Sequence, residues 1–210
     1  MDEQQQNQAF ADLIQTFYHQ GKAPATSTNY SWRNPAGEII ISRSGVDKAK
    51  FSPEDWMKVD LNGLPLPEYA HCKPSAETLI HCFLYAQFPD TKCILHSHSV
   101  AATVLSGLYC REGTNRERGE IVFQDYEVIK GIRGYHTHDC QLRLPIVANS
   151  QDMGELCDRL SIASLQNFGF LIARHGLYAW GDSLGEAKRH LDVWEFLLEC
   201  ELALLQIQHP

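Results

Sequence analysis

Apolar positions along this chain recur at two spacings, and the alternation between them marks out the elements. Phe10, Leu13, Ile14 and Phe17 lie at helical spacing, which predicts a helix over residues 8–19 stopped by Gly21 with Pro24 just beyond. The stretch TSTNYSWRNPAGEIIISRSG holds two extended runs around Asn34-Pro35-Ala36-Gly37, the pattern of a β-hairpin. Ser52-Pro53-Glu54-Asp55 reads as a short helical turn, and MKVDLNG as a strand that ends in a turn. Residues 75–88, opening on Pro74 and Ser75, read as a helix. CIL then forms a short strand up to His96, with a helix over 99–108 behind it. Strands are predicted at 121–123 and 142–147, and a helix over 150–165. GFLIARHGLYAWG gives two apolar runs broken at Arg174-His175-Gly176.

The clearest helix covers 183–206. Ser183-x-x-Glu186 has the form of a capping box. Leu184, Ala187, Leu191, Trp194, Leu198, Leu202 and Leu205 make one apolar stripe. Strands and helices mix without regular βαβ alternation. The expected fold class is therefore α/β, with helices on both faces of a sheet that contains substantial antiparallel pairing. No repeat, low-complexity segment or linker interrupts the 210 residues, so one domain over 1–210 is the simplest organisation.

Composition narrows the function classes. The chain is 44% hydrophobic and 21% charged, with a net charge of −8. That is the make-up of a folded globular chain, and its acidity argues against nucleic acid or an anionic membrane as partner. An anionic small molecule stays possible, because a few local donors suffice to bind a phosphate. No apolar run approaches 18 residues, and the start MDEQQQNQAFADL lacks the basic and apolar regions of a secretory signal. The seven cysteines are scattered, several within apolar runs, and no two form C-x-x-C. They read as reduced thiols of a cytoplasmic protein.

The ten histidines are not evenly spread: His96 and His98 form one H-x-H, His136 and His138 another. At a strand end, H-x-H turns two imidazoles to the same side, because side chains alternate with period two. Catalytic zinc sites commonly use three protein ligands and an open position. For an isolated H-x-H, however, a packed or solvated pair is the simpler reading. The third ligand has two candidates by spacing, His175 at the break in RHGLYAW and the YHTHDC pair. Glu77, in the first turn of the PSAET helix, has a plain role opposite the helix dipole. Glu127, in FQDYEVIKG, reads as an ordinary solvated acid. Partial burial near a metal would raise the pKa of either and suit it to acid–base work. TSTN and SRSG combine hydroxyls, an amide and free N–H groups at strand ends. Such turns suit a phosphate, although ordinary turn chemistry explains each one alone.

Taken in order, T-S-T-N, S-G, P-S-A-E, H-S-H-S, Q-D-Y-E-V-I-K-G and R-H-G-x-Y-x-W-G resemble the class II aldolase-like family. That family includes fuculose-phosphate aldolase and the adducin head. The resemblance extends over about 17–202, and the ordered motifs are far more specific than one H-x-H. It implies a three-layer α/β/α domain with a largely antiparallel central sheet. It implies zinc, one per subunit, on His96, His98 and His175, which would settle the third ligand. The family's phosphate loops fall on Thr28 and Asn29, on Ser44 and Gly45, and on Ser75, with Lys48 near enough to add positive charge. The loop usually reads S-G-N, whereas this chain has Ser27-Thr28-Asn29, and threonine is uncomfortable at positive φ.

Glu77 falls where the aldolases of the family keep their acid–base carboxylate, and Glu127 where its dehydratases carry theirs. The similarity to the dehydratase branch implies removal of water from 5-methylthioribulose 1-phosphate in methionine salvage. Glu127 is the expected proton donor, with Glu77 positioning substrate or tuning the metal. The resemblance also implies a homotetramer with active sites near subunit boundaries. The alternatives are a zinc-dependent sugar-phosphate aldolase and, from another class, a non-catalytic interaction module of the same fold. The module is disfavoured because three histidines and two glutamates are all present.

Overall fold

The computed structural model describes residues 2–110, 118–161, 163 and 165–208. Its five helices are α1 (Glu3–His19), α2 (Thr78–Gln87), α3 (Val100–Tyr109), α4 (Met153–Ser161) and α5 (Leu184–Gln208). The eight strands are β1 (Tyr30–Arg33), β2 (Ile39–Ser42), β3 (Trp56–Val59), β4 (Cys93–Ser97), β5 (Arg118–Gln124), β6 (Gln141–Val147), β7 (Gly169–Ile172) and β8 (Gly176–Gly181). They form one sheet in the order β3-β2-β1-β4-β8-β7-β6-β5. Every neighbouring pair is antiparallel except β6–β7.

Period-two alternation divides the strand residues between two cores, one on each face of the sheet. Ile40, Cys93, Leu95, Leu171, Leu177 and Ala179 pack with α1, α3 and α5. Ile39, Ile41, Ile94, Ile172, Tyr178 and Trp180 pack with α2 and α4. The strands of the sheet centre are buried on both faces, which is why IIIS, CILHS and GLYAWG read as nearly continuous apolar runs. The expected three-layer arrangement with a mainly antiparallel sheet is what the chain adopts.

Several element ends differ from expectation, and α1 already begins at Glu3, capped by Asp2. Helix α2 starts at Thr78 and not at Ser75, because residues 75–77 are spent in a turn: the Thr78 hydroxyl and main-chain N–H both donate to the Ser75 carbonyl. Helix α4 starts at Met153 and not at 150, and is described to Ser161; positions 162 and 164 of the longer expected helix lie outside the described residues. At α5, Ser183 Oγ accepts from the Glu186 N–H. The Glu186 carboxylate turns to Arg133 and the Asp182 N–H, so only half of the capping box forms.

Candidate metal centre

The centre lies where β4 leaves the sheet. His96 occupies the α2 face of β4, two residues beyond Ile94 and opposite Tyr178 of β8. Its ring stacks on Tyr178 at 3.9 Å, and Tyr178 in turn stacks on Phe170 at 4.9 Å. His96 Nδ1 lies 2.9 Å from the Leu177 carbonyl oxygen. A carbonyl only accepts, so Nδ1 carries the proton and Nε2 presents a lone pair. His98 continues the same side past the strand end, anchored by its N–H to the Lys22 carbonyl at 2.8 Å. His175 comes from the tight β7–β8 turn, where Arg174 takes φ 54 and Thr103 donates to the His175 carbonyl at 3.2 Å. Gly176 lets the turn pass close by: a Cβ there would sit 2.1 Å from the Ser97 carbonyl oxygen and 2.9 Å from His98 Cδ2.

The three side chains converge. His96 Nε2 is 2.7 Å from His98 Nε2 and 3.3 Å from His175 Nε2. Burial drives His96 well below its ordinary pKa and takes His98 down to about 4, with neighbouring histidines adding to both shifts. His96 and His98 are thus neutral imidazoles, and the nitrogens of all three rings face one another, an arrangement that a divalent cation satisfies. Among the described residues this is the one such grouping of three histidine, cysteine or acidic side chains. The second H-x-H stands elsewhere: His136 and His138 are exposed, and His138 Nδ1 lies 3.5 Å from Glu127.

Glu77 closes the open side of the cluster. As the residue that caps α2, it places Oε1 3.0 Å from His175 Nε2 and Oε2 3.4 Å from His96 Nε2. Asn29 Nδ2 donates to Oε2 at 2.5 Å and the Tyr178 hydroxyl at 2.9 Å. Burial alone would raise this carboxyl. The hydrogen bond with His175, the electrostatic influence of the neighbouring histidines and the Asn29 amide outweigh it and hold Glu77 well below the usual carboxylate range.

Glu127 is placed differently. It opens a 3₁₀ turn (Glu127–Gly131), with its side chain 69% exposed and paired to Lys130. That pairing holds its carboxyl below the ordinary value, so within one chain it is not a buried acid of raised pKa. It lines an open groove of about 550 Å³ with Val128, Lys188, Arg189 and Phe196, and no ligand histidine takes part.

The loops singled out for phosphate adjoin this centre. Thr28 does take the left-handed conformation that a glycine would favour, φ 71, and its hydroxyl donates to the Tyr30 oxygen at 2.9 Å. Gly45 has φ 76. The buried Lys48 ties the two loops, donating to the Val46 carbonyl at 3.0 Å and the Thr26 carbonyl at 3.5 Å. The Ser44 N–H donates to the Lys73 carbonyl, two residues before Ser75, and Ser75 Oγ accepts from the Glu77 N–H at 3.4 Å. Sequence reasoning gave Asn29 only a place in a phosphate loop and missed Tyr178, His81 and Ser31. The one local sign of the latter two was a polar residue inside an apolar element, IHCF and YSW.

Comparison with known proteins agrees with this geometry. The chain is 52% identical over 212 residues to the methylthioribulose-1-phosphate dehydratase of Picosynechococcus sp., covering 100% of this chain and 97% of the relative. It is 42% identical to the enzyme of the same name from Xanthomonas campestris pv. campestris, covering 90% and 85%. L-fuculose-1-phosphate aldolase from Thermus thermophilus shares the fold, with a TM-score of 0.70 at 23% identity over 96% of each chain. Residues 8–202 match the class II aldolase and adducin N-terminal domain. With that match spanning the sheet, the helices and all three clustered histidines, the chain belongs to the class II aldolase and adducin N-terminal domain family.

Proposed function

We propose that this chain is a metal-dependent dehydratase that converts 5-methylthioribulose 1-phosphate to 2,3-diketo-5-methylthiopentyl 1-phosphate in methionine salvage. The observation that carries the reading is the convergence of His96, His98 and His175 with an ionised carboxylate, Glu77, on the open side. The names of the relatives choose dehydration within the family. Three converging imidazoles and an open position suit zinc, one per subunit. Bound there, the ion supplies Lewis acidity toward the substrate's carbonyl oxygen.

The remaining work falls to the chain. The reaction takes the C3 proton beside the C2 ketone and expels the C4 hydroxyl as water; the resulting enol tautomerises to the diketone. Thr28, Asn29, Ser44, Gly45 and Ser75, with the Lys48 ammonium behind them, hold the phosphate as a handle that orients the reacting carbons. Glu77, beside the three histidines, takes the C3 proton as base. Glu127 protonates the departing C4 hydroxyl. Since it lies on the surface of its own chain, it reaches the centre of a neighbouring subunit. The subunit is a single domain, and the working assembly is a cytoplasmic homotetramer whose seven cysteines are free thiols.

A second reading has one observation in its favour. Glu77, where the resemblance puts the aldolases' carboxylate, is the acid at the histidines, which fits retro-aldol cleavage of a sugar phosphate. Product analysis separates the two. Methylthioribulose 1-phosphate should lose one water and stay one molecule, and fuculose 1-phosphate should be left intact. Cleavage of fuculose 1-phosphate into two fragments, with no dehydration of the first substrate, would overturn the proposal.

A further inference from the structure

Behind Glu77, and reached through Asn29, runs a chain of buried polar groups, His81, Ser31 and Tyr85, that the reaction above does not use. Asn29 Oδ1 is 2.5 Å from His81 Nε2, His81 Nδ1 is 2.7 Å from Ser31 Oγ, and Ser31 Oγ is 2.9 Å from the Tyr85 hydroxyl. Asn29, His81, Ser31 and Tyr85 are each at most 3% exposed. The direction of every bond can be worked out from the carboxylate outward. Asn29 Nδ2 donates to Glu77 Oε2, so the Asn29 group facing Glu77 is the NH₂. Its carbonyl oxygen therefore faces His81, and His81 Nε2 must carry the hydrogen. Burial takes the His81 pKa down to about 3, so the ring is neutral and Nδ1 is bare. Ser31 then donates to Nδ1, and Tyr85 donates to Ser31. Each donor points toward Glu77.

We propose that His81 and Ser31 are positioning residues: the one-way relay Tyr85–Ser31–His81–Asn29 fixes the Asn29 amide and thereby pins Glu77 Oε2, leaving Oε1 turned to His175. The alternative amide orientation would set Asn29 Oδ1 against the carboxylate and its NH₂ against the His81 N–H, two repulsive contacts in place of two bonds. The neighbouring Tyr178 hydroxyl also binds Oε2, so two fixed donors, Asn29 and Tyr178, act on one oxygen. His81 is separated from the substrate by Asn29 and Glu77, and its effect is felt in the orientation of the reacting group.

This inference rests on the dehydratase reading, and its test separates the two. In the zinc-loaded wild-type protein, long-range ¹⁵N–¹H NMR should show His81 as the neutral Nε2–H tautomer, unchanged across neutral pH. An Nδ1–H tautomer or an imidazolium would overturn the relay whatever the substrate turns out to be. His81→Phe, which removes both ring nitrogens, should lower kcat about tenfold or more through misplacement of Glu77, with metal content kept and KM within about twofold. His81→Gln, able to donate to Asn29 and accept from Ser31, should recover most of the loss. A folded His81→Phe protein with unchanged kcat, or a folded His81→Gln protein no better than His81→Phe, would overturn the proposal. If His81→Phe fails to fold, the tautomer and the His81→Gln kinetics decide. Wild-type protein inactive on methylthioribulose 1-phosphate would sink the dehydratase reading and leave the tautomer result standing.

Discussion

Lys48→Met should make this protein more stable and a worse binder of phosphate. Lys48 is 1% exposed, and among the described residues its Nζ forms no ion pair. Its partners are two main-chain carbonyls and the face of Phe51, 6.0 Å away. Desolvation lowers its pKa from 10.5 to about 8, only partly offset by Asp55 and Asp47. Below about pH 8 the lysine is protonated both folded and unfolded, and the fold carries the whole penalty. From about pH 8 to 10.5 the folded form loses its proton while the unfolded form keeps it, so the penalty fades as pH rises. A shift of this size corresponds to roughly 3 kcal/mol at neutral pH. Methionine removes the charge but leaves two carbonyls without their donor, at about 1 kcal/mol each, the second bond being long. The net gain is about 1–2 kcal/mol, or roughly 2–8 °C in Tm for a chain of this length. Thermal denaturation should be run at neutral pH and near pH 9.5, with and without inorganic phosphate. The variant should lead at neutral pH, lose that lead in alkali, and show a smaller phosphate-induced rise in Tm than the wild type. A variant less stable than wild type by the same amount at both pH values, with its phosphate response intact, would refute this account of Lys48.

Other perturbations test the centre's packing and its assembly. Gly176→Ala places a methyl 2.1 Å from the Ser97 carbonyl oxygen and 3.1 Å from His96 Cε1; calorimetric metal titration should show at least about a tenfold loss of affinity, with roughly 1–3 kcal/mol of destabilisation from overpacking. Metal affinity equal to wild type would mean that the turn yields without moving the histidines. Glu127→Gln should bind metal normally and lose about a hundredfold in kcat. Co-refolding inactive Glu127→Gln with inactive His175→Ala chains should restore part of the activity, since a mixed assembly pairs an intact Glu127 with intact histidines; no recovery would exclude action across subunits. Light scattering should give about four times the 23.8 kDa chain mass, and a monomer would remove the basis for that shared site.

Patterns confined to one element were legible in the sequence. Period two put His96 and His98 on one side of an extended end, and the break at Arg174-His175-Gly176 became the β7–β8 turn. The stripe on α5 packed as its spacing required, with Ala187, Leu191, Trp194 and Leu198 fully buried. Contacts between distant elements were not legible. Glu77 meets Asn29 across 48 residues and Tyr178 across 101, and no local periodicity encodes either meeting. For the same reason the dipole role at the start of α2 looked adequate for Glu77 when only its neighbours in sequence were considered. Thr28 shows the limit of propensity. Threonine disfavours φ 71, but the Thr28–Tyr30 hydrogen bond and burial hold it there. For Glu127, a motif matched a role, while its charged partners among the described residues are Lys130 and His138.

Metal held by His96, His98 and His175 should be what makes this chain a dehydratase. The direct test strips the protein with a chelator, titrates zinc back, and follows dehydration of methylthioribulose 1-phosphate at each addition. Activity should be absent in the stripped protein and rise linearly to a plateau at about one ion per chain, as a single three-histidine site requires. His136→Ala should trace the same curve, and His175→Ala should stay flat. Full turnover in the stripped protein, or a flat response from His136→Ala beside a normal one from His175→Ala, would contradict the account.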